Sequence, residues 1–283
     1  MPKIQVCESV QSVREFSLAQ KRAGRRVGFV PTMGYLHEGH LSLVHLALKS
    51  CDVVVSSIFV NPTQFNDPKD LEAYPRDIPR DLQMLEQAGT AAVFLPTPAM
   101  MYGPQFESWV ELQKLPLQHE GAHRPGHFRG VSTVVAMLFN AVQPDAAVFG
   151  EKDFQQLRII EQMVSDLHFP IEIIRGPLIR EADGLAMSSR NVRLSPEARQ
   201  RALSISKGLF EAQKAFEQGE RSAEILCSLV QKRLQGSADK VEYVHLVEED
   251  SLKIVSVCGP KPCRLLVAAF VGGVRLIDNI RLG

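Results

Sequence analysis

Hydrophobic and polar positions along the first two-thirds of the chain switch repeatedly between helical and strand-like spacing. "SVQSVREFSLAQKRAG" predicts a helix, with Ser9 or Ser12 as candidate caps and Gly24 at its end. "RVGFV" is a short apolar strand, and "GHLSLVHLALKS" returns to helical spacing through Leu41, Val44, His45 and Leu48. "DVVVSSIFV" is rich in β-branched residues and reads as a strand. "RDIPRDLQMLEQAG" predicts a helix ending in Gly89, and "AAVFLP" a strand. "SWVELQK" predicts another strand, outside the simple alternation. "GVSTVVAMLFNAV" is an apolar helix stopped by Pro144; "AAVFG", "DFQQLRIIEQMVSDL" and "IEIIRGPLI" then read strand, helix, strand. Apolar strands separated by helices imply a parallel sheet covered on both faces. The expected fold is α/β, a Rossmann-like doubly wound parallel sheet.

Past about Arg180 the pattern changes. "EADGLAMSSRNVRLSPEARQ" is polar and loop-like. Two amphipathic helices follow, "PEARQRALSISKGLFEAQKAFEQG" and "SAEILCSLVQKRLQG". "VEYVHLVEE" and "CRLLVAAFVGGVRLIDNIRL" read as antiparallel strands with a turn or bulge at Gly272-Gly273. This predicts a smaller C-terminal α+β domain, with bounds of 1–186 and 187–283.

Composition narrows the class. The chain has 283 residues, 45% hydrophobic and 23% charged, enough for one large or two medium domains. Its 32 basic residues balance 32 acidic ones, which argues against an extended nucleic-acid surface. Five cysteines are scattered without a CxxC pair and read as free thiols of a reducing compartment. Cys258 and Cys263 could approach in a hairpin, but zinc would need further ligands. "MPKIQVCESV" lacks a long apolar run, and no run reaches the roughly 18–20 residues of a membrane span. A cytoplasmic protein with no membrane partner is expected.

Open parallel sheets bind ligands beyond the carboxyl ends of their strands. Three unusual segments fall there: "PTMGYLHEGH" after "RVGFV", "NPTQFN" after "SSIFV", and "GEKDFQQ" after "AAVF". His37 and His40 admit three readings. They are a polar turn before a helix, a zinc pair with no obvious third ligand, or donors in a polyphosphate site. In the last, Gly34 and Gly39 let backbone approach the ligand at a helix N-terminus. Lys152 reads as a surface lysine or as a charge partner for phosphate, with Glu151 and Asp153 as a capping feature. Gln156 lies about one helical turn beyond Asp153. Met187 to Asn191, "MSSRN", is an ordinary polar loop or a compact donor set suited to phosphates. Asn61 and Gln64 are amides that satisfy backbone or read hydroxyls and carboxylates.

"HEGH" resembles the HxGH signature of the nucleotidylyltransferase superfamily, and "MSSRN" its second, KMSKS-like phosphate loop. The ordered set "PTMGYLHEGH", "SIFVNPTQF", "YPR", "GHFRGV", "FGEKDFQQL" and "READGLAMSSRN" resembles the pantothenate synthetase (pantoate–β-alanine ligase) family, from about 26 to 195. The resemblance implies a two-step reaction. ATP and pantoate give pantoyl adenylate and pyrophosphate; β-alanine then gives pantothenate and AMP. It also implies magnesium, the cytoplasm and a homodimer.

Carried over residue by residue, it implies that His37 and His40 contact ATP phosphates, with His40 as a proton donor. Met33, Gly34, Gly150, Glu151, Lys152 and Asp153 line the nucleotide site, with Lys152 on phosphate and Ile179 beside adenine. Met187, Ser188, Ser189 and Arg190 close over the phosphates. Gln64 and Gln156 hold pantoate, with Gln64 also near β-alanine. Asn61, Tyr74, Arg124 and His127 are further pocket candidates, and Asp81 is expected near magnesium. Within the same superfamily, a nucleotidyltransferase is the rival reading, and Gln64 with Gln156 argues against it. A non-catalytic nucleotide-binding module is a second rival, opposed by intact His37, His40, Lys152 and Arg190. A tRNA-charging enzyme lacks the basic extension it would need.

Overall fold

The computed structural model describes residues 3–283. Met1 and Pro2, which open "MPKIQVCESV" and the expected 1–186 bound, lie outside the described residues. Contacts divide the chain into two compact units. The first comprises Met1–Pro116, Arg124–Glu151 and Gln156–Pro177; the second comprises Leu117–His123, Lys152–Gln155 and Leu178–Gly283.

In the first unit, the strands are β1 (Gln5–Cys7), β2 (Val27–Thr32), β3 (Val53–Ile58), β4 (Ala92–Phe94), β5 (Ala146–Gly150) and β6 (Glu172–Gly176). All pairings in this sheet are parallel, in the order β1-β4-β3-β2-β5-β6. The helices are α1 (Val10–Arg22), α2 (Glu38–Ser50), α3 (Pro68–Glu72), α4 (Ile78–Gln87), α5 (Pro98–Met101), α6 (Glu120–His123), α7 (His127–Val142) and α8 (Phe154–Asp166). Of these, α6 and the first residues of α8 belong to the second unit.

The strand order fixes where a ligand can sit. From β2 the chain winds outward through β3 and β4; it then returns to the other side of β2 to place β5 and β6. The reversal lies between β2 and β5, and in open α/β sheets such a switch point opens a crevice at the strands' carboxyl ends. Side-chain alternation explains why both faces are covered. Val30 joins Val44, Ala47, Val54 and Val148 in one core layer beneath α2. Its neighbour Phe29 meets Phe139 of α7 edge-on at 6.4 Å, and Phe139 also meets Phe149 at 6.2 Å.

The predicted helices of this unit form, and so do its predicted strands but one; β1 and the short helices α3 and α5 were not anticipated. Residues 108–114 are not a strand. The Val110 N–H donates to Thr133 Oγ1 (3.0 Å), and its carbonyl accepts from Ser132 Oγ. Hydroxyls on α7 therefore take the groups a ladder would have used. The three-residue β1 is too short for a period to show.

The second unit pairs α9 (Pro196–Glu217) and α10 (Ala223–Leu234) with an antiparallel sheet of β7 (Lys240–Glu248), β8 (Cys263–Val271) and β9 (Val274–Leu282). Gly272 (φ +58°) and Gly273 (φ +72°) turn the β8–β9 hairpin, a two-residue link that needs left-handed backbone at both positions. Leu209, Leu226, Val230, Leu265, Val267 and Leu276 are core residues of this unit.

A partly buried polar cluster lies in the same unit. His119 Nε2 faces the Leu252 carbonyl (2.8 Å), so it carries a hydrogen. Neutral His119 then accepts at Nδ1 from His245 Nδ1–H, 2.9 Å away. Burial, then the neighbouring His119 and His123, push His245 from 6.5 down to about 4. An unfolded histidine protonates near 6.5, so the unfolded chain binds more protons across that window, and stability falls as pH drops from 6.5 towards 4. The urea midpoint is expected to decline over this interval, and His245→Gln to remove part of the decline. An unchanged slope in the variant would show that the pair is not responsible.

Candidate functional site

The turn between β2 and α2 is held from below. Thr32 Oγ1 donates to the Ser57 carbonyl (2.8 Å) and accepts from the Gly34 N–H (3.2 Å). Gly34 and Tyr35 have φ of +83° and +48°. A Cβ on Gly34 would lie 2.9 Å from Ile58 Cγ2, so glycine is required both by conformation and by space. The next two N–H groups, of Tyr35 and Leu36, donate to the two oxygens of Asp81 at 2.7 and 2.8 Å.

Helix α2 starts immediately afterwards, with His37 as its extended N-cap. The His37 N–H donates to His40 Nδ1 (3.3 Å), which leaves Nε2 as the hydrogen-bearing nitrogen of a neutral His40. The two rings pack with centroids 4.1 Å apart. HxGH spacing thus serves two ends here: it caps the helix and gathers two imidazoles at its positive end.

The segment after β3 is a 3-10 turn, Pro62–Gln64, capped by Asn61. Asn61 is 1% exposed and spends its amide internally. Its oxygen accepts from Tyr102 OH (2.8 Å) and Thr63 Oγ1 (3.0 Å), and its nitrogen donates to the Gly130 carbonyl (3.1 Å) and to Gln64 Oε1 (3.2 Å). Gln64 Nε2 then reaches Met33 Sδ at 3.0 Å, joining the segment after β3 to the one after β2.

Arg124 Nη2 and His127 Nδ1 both donate to the Gln64 carbonyl, at 3.1 and 2.8 Å. Arg124 Nη1 also donates to His127 Nε2 (3.2 Å), so one tautomer satisfies every contact. Gly130 sits under this turn, where a Cβ would lie 2.6 Å from the Thr63 carbonyl oxygen. Tyr74 is buried and packs edge-on against Phe65. A pocket of about 310 Å³ opens beside these residues, lined in part by Met33, Gly34, Phe59, Pro62 and Arg76.

Among the second unit's candidates, Lys152 and Asp153 form a 3-10 turn with Glu151, directly after Gly150 ends β5. Lys152 Nζ lies 3.7 Å from Asp153 Oδ2. Ile179 and Met187 are brought together, the Met187 N–H donating to the Ile179 carbonyl (3.0 Å). Ser188 caps a 3-10 turn, Ser189–Arg193, by accepting the Arg190 N–H. Gln156 is half-buried in α8.

Sequence reasoning missed the residues that hold these segments. Arg180 pairs bidentately with Asp278 (2.6 and 2.9 Å). Arg199 bridges Glu181 and Asp183 (2.6 and 2.7 Å), and Asn191 donates to Glu181 (2.7 Å) and to the Ala186 carbonyl (3.0 Å). Much of "READGLAMSSRN" is therefore scaffold for its own loop. The available signal was its density of opposite charges in a loop.

Asp81, expected near magnesium, is 0% exposed, and both its oxygens accept backbone hydrogens. Burial raises its carboxyl above the ordinary range, with the hydrogen bonds from Leu36 and Tyr35 opposing. Among the described residues, no group of three or more His, Cys, Asp or Glu is placed to hold a metal ion.

A doubly wound sheet with an HxGH turn at its switch point defines a nucleotide-binding α/β protein of the nucleotidylyltransferase type. The sequence profile of the pantoate-beta-alanine ligase family matches residues 5–281. The pantothenate synthetase 1 of Bradyrhizobium diazoefficiens is 50% identical over 279 residues, 99% of this chain and 98% of that one. The crystal structure of pantothenate synthetase from Thermus thermophilus superposes with a TM-score of 0.92 at 42% identity, covering 98% of this chain and 99% of that one. A pantoate-beta-alanine ligase from Francisella tularensis, solved with beta-gamma ATP and beta-alanine, superposes at 0.82 with 32% identity, covering 98% and 97%. The chain belongs to the pantoate–β-alanine ligase family.

Asp81→Asn tests the clamp. The amide keeps the shape but offers one acceptor to two N–H groups, so the urea midpoint should fall by the equivalent of about 1–3 kcal/mol, the cost of leaving a buried donor unmet. A magnesium ligand would instead show unchanged stability and an altered Mg²⁺ requirement.

Proposed function

We infer that this chain condenses pantoate with β-alanine through a pantoyl adenylate, using ATP and releasing pyrophosphate and AMP. In the first step a pantoate carboxylate oxygen attacks the α-phosphorus, and the bond to the bridging oxygen breaks as pyrophosphate leaves. In the second, the β-alanine nitrogen attacks the acyl carbon. The acyl C–O bond breaks, AMP leaves, and the amine proton passes to solvent. No residue is assigned as its base. Neither step forms a covalent bond to the enzyme, so the protein contributes positioning and charge stabilisation.

The observation that carries this reading is the link from Gln64 to Met33. It joins an amide able to read a carboxylate or hydroxyl to the turn that bears His37 and His40. A thioether is a weak acceptor, so Gln64 Nε2 is available to a better one such as a pantoate oxygen. The reading assigns His37, His40 and the α2 N-terminus to ATP phosphates, with Met33 and Gly34 beside them. Lys152 and Arg190 add positive charge, and Met187, Ser188 and Ser189 add donors. Gly150, Glu151 and Asp153 line the nucleotide site, and Ile179 borders adenine. Gln156 joins Gln64 on pantoate. Asn61, Tyr74, Arg124 and His127 shape that pocket by holding Gln64 and its neighbours.

Magnesium belongs to this reading as part of the ATP substrate. Mg²⁺ characteristically takes one or two carboxylates plus phosphates and water rather than an all-protein cage. The homodimer and the cytoplasm belong to it as well; all five cysteines are free, which suits a reducing compartment. No helix among the described residues is long and apolar enough to cross a membrane. A neutral net charge argues against a nucleic-acid partner.

AMP production should require ATP, Mg²⁺, pantoate and β-alanine together; equal AMP without pantoate would refute the assignment. His40→Ala and Lys152→Ala should each lose at least about tenfold in turnover, since removing one charge-stabilising donor commonly costs roughly 10²–10³. Near-normal turnover in both would overturn the phosphate roles.

A further inference from the structure

Neighbouring residues of β9 hold both cation-bearing segments of the second unit. Asp278, 4% exposed, takes the Arg180 guanidinium at the root of the 180–191 loop. Asn279, equally buried, donates from Nδ2 to the main-chain carbonyl of Lys152 at 2.9 Å. The Asn279 side chain is itself oriented. Its Oδ1 accepts from Arg264 Nη1 (2.7 Å), which fixes the amide's nitrogen towards Lys152. Arg264 in turn is held by Glu249 (2.8 Å) and stacks its guanidinium over the Phe154 ring at 3.9 Å, two residues beyond Lys152. The Lys152 turn is thus gripped at its carbonyl and at Phe154 by one buried chain of contacts, Glu249–Arg264–Asn279.

We propose that Asn279 is a positioning residue for adenylation, acting through Lys152. Its amide sets the orientation of the Lys152 peptide, and with it the origin of the lysine side chain. Lysine has a flexible four-carbon stem, so placing its ammonium depends on fixing the backbone from which the stem departs. The inference rests on the phosphate role given to Lys152 above.

A double-mutant cycle tests it, read by pantoate-dependent ATP–pyrophosphate exchange, with thermal melting as a check on folding. Asn279→Ala in the otherwise native enzyme should lower the exchange rate by about five- to tenfold, the scale of one hydrogen bond, chiefly in turnover rather than in the KM for pantoate. In a Lys152→Ala background the same change should cost less than about twofold, because residues acting as a unit are not additive. Asn279→Asp serves where the alanine variant fails to fold: it keeps the acceptor for Arg264 and removes the donor to Lys152. Equal losses in both backgrounds, or no loss in the native background while Lys152→Ala is impaired, overturn the proposal. Normal exchange in Lys152→Ala overturns the phosphate role itself, and the proposal with it.

Discussion

One buried carboxylate governs how the chain leaves the central strand. Asp81, from the first turn of α4, accepts the N–H groups of Tyr35 and Leu36 at 2.7 and 2.8 Å. Those groups follow the left-handed backbone at Gly34 and Tyr35, and without the carboxylate they would be buried with no strand or helix partner. With them held, Leu36 sinks into the core layer beneath α2, and His37 is left extended to cap that helix. The arrangement carries an electrostatic tension. A carboxylate sits in the floor of the turn assigned to a polyanion. Burial disfavours its charge, while two backbone donors, and Arg80 at 3.8 Å, neutralise it locally. An acid held this way fixes the geometry of the turn.

Period and strand order carry different amounts of information. The spacing of apolar residues was enough to read α1, α2, α4, α7, α8 and most strands, because each buries one stripe or face. It could not identify β1, whose three residues span less than one period of anything. It misread 108–114 because the decisive partners, Ser132 and Thr133, lie more than twenty residues away. HxGH and "NPTQF" were visible as oddities at strand ends, and the order β3-β2-β5 explains why they are neighbours. The internal duties of Asn61 and Asp81 were not visible. A buried amide and an active-site amide are the same letters, and only their hydrogen bonds tell them apart. Likewise, composition does not reveal that residues 117–123 and 152–155 pack with the chain beyond 178.

The second unit achieves rigidity in a different way. Its buried and half-buried arginines are engaged by carboxylates: Arg180 with Asp278, Arg264 with Glu249, and Arg275 with Glu120 and Glu242. Tyr243 adds a 2.6 Å hydrogen bond to Glu120, and burial raises its phenol well above the ordinary value. Such pairs add little net stability over apolar packing, yet breaking one leaves a buried charge unmatched, at about 3–5 kcal/mol. Their effect is to make alternative geometries expensive. A zero net charge over the whole chain therefore conceals a strongly structured interior.

That rigidity constrains how the "MSSRN" loop can work. Its base is fixed twice over, by the Arg180–Asp278 pair and by the Arg180–Ala186 bridge. Its far side is fixed by Asn191, which holds both Glu181 and the Ala186 carbonyl. On the phosphate role proposed for this loop, closure over a nucleotide would rearrange only Met187 to Arg190 between these anchors, a few residues rather than a swinging arm. A short, well-anchored loop loses less conformational entropy on ordering than a long one. On the same proposal it would also exclude water from a mixed anhydride with little reorganisation, which is the task an acyl-adenylate intermediate sets. The charges around "MSSRN" are thus divided in labour. Arg180, Glu181, Asp183 and Arg199 build the frame, and Arg190 rides on the turn that the frame presents.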